Sequence, residues 1–268
     1  MKKTTILVIV LLVAGVGCCA AAFGMGLNEI SVGDFSFTPR FLKYQEEAVD
    51  KGLAVSTKIG RLEMDIDNAE CVIRTGDAYQ LTAGSGVTWK QEGTTLTIEQ
   101  EQPGGWWWRS KPAPITLTVP EDTALSYLDV DVDAGTVSVS DLEASHGVAC
   151  NVDAGYIELD HVDTGSMEMD VDAGAISYVG ILRGPAQLEC DAGSIDLTLR
   201  QGSTAGSVNG SVDAGSVSVY VNGQEVLQND GFSETVSADL PGAIGNDRIA
   251  LDCDVGSISV TLTTKQAQ

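Results

Sequence analysis

The sequence predicts an all-β chain: a single-stranded parallel β-solenoid with coils of about 20 residues, behind one N-terminal transmembrane helix. Three observations lead there. Asp-Ala-Gly recurs at a nearly constant spacing, apolar residues alternate on both sides of each recurrence, and an uncharged run fills the N-terminus. Thirty glycines, few aromatics and 43 % hydrophobic residues in 268 favour short strands around a sizeable core.

The recurrences stand at Asp133-Ala134-Gly135, Asp153-Ala154-Gly155, Asp172-Ala173-Gly174, Asp191-Ala192-Gly193 and Asp213-Ala214-Gly215, with the variant Asp254-Val255-Gly256. Successive Asp positions are 20, 19, 19, 22 and 41 residues apart, so the last interval reads as two periods with a degenerate corner between them. The residue before each Asp is Val132, Val152, Val171, Cys190, Val212 or Cys253. Four and six positions after it stand residues such as Ile176 and Tyr178, or Ile195 and Leu197, with polar Ser177 or Asp196 between. That is the period of two of a strand with one buried face. A single such repeat cannot bury its apolar side, whereas stacked coils join the inward positions into continuous ladders. An antiparallel sandwich also has many short strands, but gives no reason for a periodic corner tripeptide.

At each corner the sequence predicts an Asx-type turn, with Ala in a crowded position and Gly supplying positive φ. Asp side chains stacked at about 4.8 Å repel by about 1 kcal/mol in water, and by several times that at an effective dielectric near 20. Oxygen-ligated Ca²⁺ is therefore the one cofactor considered, although the glycine-rich nonapeptides of calcium solenoids are absent from the sequence.

Lys2 and Lys3 precede the uncharged run Thr4 to Gly26. As a helix this run would be about 35 Å long against a hydrocarbon core of about 30 Å. The expected organisation is a cytoplasmic tip at 1–4, an anchor at 5–26, a juxtamembrane linker or cap at 27–54 and the solenoid at 55–268, outside the cell. Cys18 follows a small residue as in a lipobox, but the Leu usual at its start is missing, so an uncleaved anchor is the favoured reading. Two of the 15 basic residues and none of the 38 acidic ones lie in the first 26, so the remainder carries a formal charge of −25. That sign argues against nucleic acid and against anionic lipid headgroups or wall polymers without a bridging cation.

Beyond the anchor, Cys150, Cys190 and Cys253 fall at inward positions, and Cys71 is the fourth cysteine there. Cys150 and Cys190 are two coils apart, near 10 Å, past the reach of a disulfide at about 7 Å, so buried free thiols are expected. Phe35, Phe37, Phe41 and Leu42 suit an end cap, and "YQEEAVDKG" at 44–52 suits a helical turn. Residues 54–102 alternate without the corner and read as irregular early coils. "GGWWWRSKPAP" interrupts them; Trp106, Trp107, Trp108 and Arg109 form a candidate binding loop, with simple packing as the alternative. Residues 222–248 read as an insertion on one side of the solenoid, and "SISVTLTTKQAQ" as a last strand with a blunted edge.

At "APITLTVPEDTALSYLDVDVDAGTVSVSDLEA" the chain resembles a bacterial family of uncharacterised cell-surface proteins described as candidate adhesins, which includes LiaG-like membrane proteins of Gram-positive bacteria. The aliphatic strand Ile115 to Pro120 and the turns at Gly135, Gly155, Gly174 and Gly193 carry the resemblance, over roughly residues 55–268. It implies a membrane-anchored β-solenoid and a role in adhesion or envelope stress, with no catalytic residue to carry over.

Three functions are weighed. A non-catalytic envelope module, contacting wall components or surface proteins, needs nothing the sequence lacks. A calcium-linked sensor or adhesin would use the corner Asp residues. A polysaccharide lyase or hydrolase would use outward carboxylates such as Glu158 and Asp196, yet only Arg183 and Arg200 supply basic groups between Leu125 and Tyr220. His146 and His161 lack the spaced partners of a zinc site.

Overall fold

A computed structural model describes residues 30–32, 35–37, 49–50, 52–53, 58–84, 86–101, 112–229, 232–240 and 245–263. All regular structure among them is β. The expected anchor at 5–26 lies outside the described residues, as does the Trp106–Trp108 stretch with Arg109. Among the described residues no helix is long and apolar enough to cross a membrane.

In chain order the strands are β1 (Ile30–Val32), β2 (Phe35–Phe37), β3 (Val49–Asp50), β4 (Arg61–Gly76), β5 (Gln80–Ala83), β6 (Val87–Glu92), β7 (Thr95–Gln100) and β8 (Ala113–Pro120). They continue as β9 (Ala124–Thr164), β10 (Met167–Gly180), β11 (Ala186–Leu199), β12 (Ala205–Ala214), β13 (Ser216–Val221), β14 (Gln224–Asn229), β15 (Phe232–Asp239) and β16 (Asp247–Leu262). β1 and β2 pair with each other, and the rest share one 14-stranded sheet.

The middle of that sheet is a parallel stack. β4 pairs with β9, the later part of β9 with β10, β10 with β11 and β11 with β16. Equivalent repeat positions face each other, so Val152, Val171 and Cys190 form one inward row and Ile157, Ile176 and Ile195 another. All six are buried. Each such side chain contributes about 1.5–3 kcal/mol of transfer free energy, which is why the alternation fixes the register. Strand structure runs unbroken through the corners at Asp133, Asp153, Asp172, Asp191 and Asp254, where the tripeptide bends a strand, whereas at Asp213-Ala214-Gly215 the glycine separates β12 from β13.

Chain order and stack order differ at both ends. β16 inserts between β11 and the pair β12–β13, so the coil bearing Asp254 lies next to that bearing Asp191. Within the 41-residue interval the chain passes outward through β14 and β15 before it returns to the stack as β16. The predicted one-sided insertion at 222–248 instead supplies β14 and β15, which run antiparallel against β13 and β12 and cover the end of the stack. "SISVTLTTKQAQ" contributes an interior strand up to Leu262, not an edge.

The other end repeats the device. β4 is flanked by β9 on one side and by β7 and β8 on the other, and β6 and β5 cover β7 and β8 in antiparallel fashion. β4 is a regular coil: Ile66, Cys71 and Ile73 register with Val132, Val137 and Val139. Its corner reads Asp67-Asn68-Ala69, which hid it from a search for Asp-Ala-Gly. Within the predicted helical turn at 44–52, Val49–Asp50 is strand β3, paired with β5. Purely parallel pairing is thus confined to the stack, and antiparallel strands close its ends.

Candidate functional site

The corner row is the most distinctive surface. Pairings on either side of each corner bring Asp67 beside Asp133, Asp172 beside Asp191, and Asp254 between Asp191 and Asp213. Asp153 lies between Asp133 and Asp172. Two residues earlier a second row registers as Asp65, Asp131, Asn151, Asp170, Glu189, Asp252 and Ser211. Strand spacing separates neighbours within a row by about 4.8 Å, and two residues of strand separate the rows by about 6.6 Å. The result is a rigid carboxylate lattice on one face.

Its electrostatics follow from crowding. Partial desolvation, then repulsion from Asp65, Asp133, Asp153 and Asp129, raises the Asp131 carboxyl above the ordinary range. Desolvation followed by neighbouring carboxylates likewise raises Asp133, Asp170 and Asp254. Local donors soften the lattice at particular points: Ser211 donates to Asp252, and Asn151 Nδ2 reaches Asp131 Oδ1 at 3.4 Å. Toward one end Arg61 donates to Glu63 at 2.6 Å and to Asp129 at 2.9 Å, its guanidinium 4.6 Å above the Tyr127 ring.

The corner glycines have a different purpose from the predicted one. Only Gly135 has a positive φ, at 132°; Gly155, Gly174, Gly193, Gly215 and Gly256 do not. What they share is contact with the next coil: a Cβ on Gly174 would lie 2.3 Å from the Gly155 carbonyl oxygen, and one on Gly215 2.3 Å from that of Gly256. Ala at the middle position is not forced by crowding, since Val255 stands there 39 % exposed. A second close-approach row was missed by sequence: a Cβ on Gly165 would meet the Ser145 carbonyl oxygen at 2.3 Å, and one on Gly184 that of Gly165 at 2.1 Å.

Glu158 and Asp196 do not form a close pair. Ser177 lies between them in register, which sets them roughly 9.6 Å apart along the stack. That exceeds the ~5–5.5 Å of a retaining glycosidase pair and lies at the upper edge of the ~6.5–9.5 Å of an inverting one. His161 Nδ1 lies 2.8 Å from Asp160 Oδ1 on the surface. Among the described residues no group of three His, Cys, Asp or Glu side chains converges as a metal site would require. Cys71, Cys150, Cys190 and Cys253 are all buried free thiols, and burial pushes Cys71 up to about 12.

The strands that flank the Trp stretch in sequence border this face. β7 ends at Gln100, in register with Ile66, and β8 begins at Ala113, in register with Ala69. The end of β7 and the start of β8 therefore flank the position where the next corner Asp would stand. Gln100 Oε1 accepts the buried Asn68 N–H at 2.6 Å and compensates the ladder for the missing corner.

The sequence pattern of the Toastrack DUF4097 family matches residues 59–267. The chain belongs to that family. The match covers the stack and both end covers described above, and agrees with the resemblance to candidate adhesins. No protein of curated function matches. Solved structures similar to this Toastrack chain include a candidate cell adhesion protein from Clostridium sporogenes, 12 % identical, with 82 % of this chain and 100 % of that one covered at a TM-score of 0.37. A candidate adhesin from Bacteroides fragilis is 12 % identical, with 80 % and 97 % covered at 0.40. A candidate lipid binding protein from Parabacteroides distasonis is 12 % identical, with 84 % and 98 % covered at 0.29.

Proposed function

We propose that this Toastrack chain is a non-catalytic envelope module. Residues 5–26 anchor it as a single pass with a cytoplasmic N-terminus, and the β-solenoid stands outside the cell as a rigid adhesive face toward a wall component or surface protein. The observation that carries this reading is the corner row, which repeats one carboxylate per coil from Asp67 to Asp213 on a scaffold closed at both ends. Such a surface suits multivalent, low-specificity contact with a cationic or cation-bridged partner, since each added site raises avidity without a deep pocket. Trp106, Trp107, Trp108 and Arg109, in the segment between β7 and β8, would add an aromatic contact.

A cation-linked version rests on the same rows, because their raised carboxyls gain from any bound or condensed cation. The test is retention of intact cells displaying the full chain on immobilised cell-wall material, with surface protease accessibility read in parallel. Adhesion should fall when Asp153, Asp172, Asp191 and Asp254 are changed to Asn. Unchanged adhesion would exclude the carboxylate face, and protease resistance on intact cells would exclude the outward placement. Thermal unfolding in Ca²⁺ against NaCl of equal ionic strength separates a specific cation site from screening.

A further inference from the structure

We propose that Cys190 and Cys253 form a disulfide that fastens β16, which inserts between β11 and β12–β13, to β11. The two are direct register partners on neighbouring parallel strands, both inward and buried. Strand spacing holds their Cα atoms about 4.8 Å apart, inside the 4.4–6.8 Å typical of disulfides. The two thiols lie near enough to perturb each other's ionisation, Cys190 being raised and Cys253 lowered by the contact between them. Cys71 registers with Ile115 and Val137, and Cys150 with Met169, so among the described cysteines only this pair is juxtaposed.

The location gives the bond a purpose. Between the two cysteines the chain makes its outward excursion through β12 to β15 and comes back into the stack. At that crossover, among the described residues, an interior coil is supplied by a strand that follows the outer layers in sequence. A bond there would hold the insertion closed.

The chemistry needs an oxidant, here a small-molecule disulfide of the glutathione class. One cysteine thiolate attacks it and expels one thiol; the second cysteine then attacks the mixed disulfide and expels the other. Two thiols thus give one protein disulfide, and the oxidant takes up both electrons and both protons as two small thiols. Because the folded pair is buried, oxidation occurs as β16 docks or during its transient opening.

The oxidising exterior is part of the proposed surface placement, but the test supplies its own oxidant and so fails or succeeds separately. The full-length chain in detergent is reduced, unfolded and refolded in a reduced and oxidised glutathione mixture, then alkylated and mapped by mass spectrometry. The expected result is one peptide pair joined through Cys190 and Cys253, with Cys71 and Cys150 alkylated. The unfolding midpoint should lie on the order of 10 °C above that of the reduced chain, and Cys253→Ser should abolish the difference. Aggregation during refolding is bypassed by incubating the native reduced chain with oxidised glutathione and mapping it in the same way. Alkylation of both residues in folded, oxidant-treated protein, or linkage of either to another cysteine, would overturn the proposal.

Discussion

A Cβ built on Gly193 would lie 2.2 Å from the carbonyl oxygen of Gly174 in the coil below. The same relation recurs up the stack, so these glycines set how closely coils approach. Gly193→Ala is expected to cost at least about 1–3 kcal/mol through overpacking that the backbone oxygen cannot relieve. Gly93→Ala is the control: its φ is +62° but a Cβ added there would meet nothing within 4 Å, so the cost is the left-handed penalty, about 1–2 kcal/mol. Urea unfolding of both variants checks this. A Gly193 variant as stable as the wild type would mean the coils can part freely.

The carboxylate rows predict an inverted acid response. Asp131, Asp133, Asp170 and Asp254 have folded-state values above the ordinary carboxylate value of about 3.9, through desolvation and then mutual repulsion. Between that value and their raised values the folded state binds more protons than the unfolded one, so stability falls as pH rises. The contribution is full below the unfolded value and lost as pH climbs through the folded ones. The unfolding midpoint should therefore rise as pH is lowered from neutrality through the raised values toward the ordinary carboxylate one, and salt should flatten the slope. These groups are exposed, so the slope should be shallow. Asp172→Asn with Asp191→Asn should reduce it, and a midpoint that falls steadily on acidification would contradict the account.

Period-two alternation made the stack legible, because inward rows such as Val152, Val171 and Cys190 are forced by burial. The corners were legible as repeats but not as chemistry. Positive φ and close approach both select Gly, and only coordinates separate Gly135 from Gly174. Local pattern could not reveal the order of layers, since Asp254 pairs with Asp191 through contacts that skip the intervening coil. For the same reason the Cys190–Cys253 pair was invisible: a count of periods puts them far apart. The β4 coil was hidden by Ala69 in the place of a glycine. At the other bend of the coil, Asp141 and His161 take positive φ of 55° and 56°, a conformation their identities do not advertise strongly.

Tyr178 fills an inward position among aliphatic neighbours, and its hydroxyl is buried with no hydrogen-bond partner among the described residues. Burial also pushes the phenol well above its ordinary value, which keeps it protonated. An unpaired buried hydroxyl costs about 1–3 kcal/mol. Tyr178→Phe keeps the ring and removes that cost, so it should stabilise the fold by about 1 kcal/mol, whereas Tyr178→Ala should cost about 3–5 kcal/mol through the cavity. Denaturant midpoints decide it, and a destabilised Phe variant would point to an internal partner such as a trapped water.

The threading of β16 predicts a protection pattern opposite to chain position. If the last strand were the last layer, its amides would exchange first and its removal would leave the other coils intact. Instead β16 has a parallel partner on each side, β11 and β12–β13, while β14 and β15 lie outermost. Hydrogen exchange should therefore be slow across residues 249–262, comparable to β10, and faster in β14 and β15. A chain ending at residue 246 would lose an interior layer, exposing the edge of β11 and leaving β12–β13 without their parallel partner. Two unpaired sheet edges above an open core favour aggregation over a shortened solenoid. The truncated chain is expected to be insoluble or to lack cooperative unfolding. A soluble, cooperatively folded truncation with fast exchange at residues 249–262 of the full chain would show that β16 is a removable end layer after all.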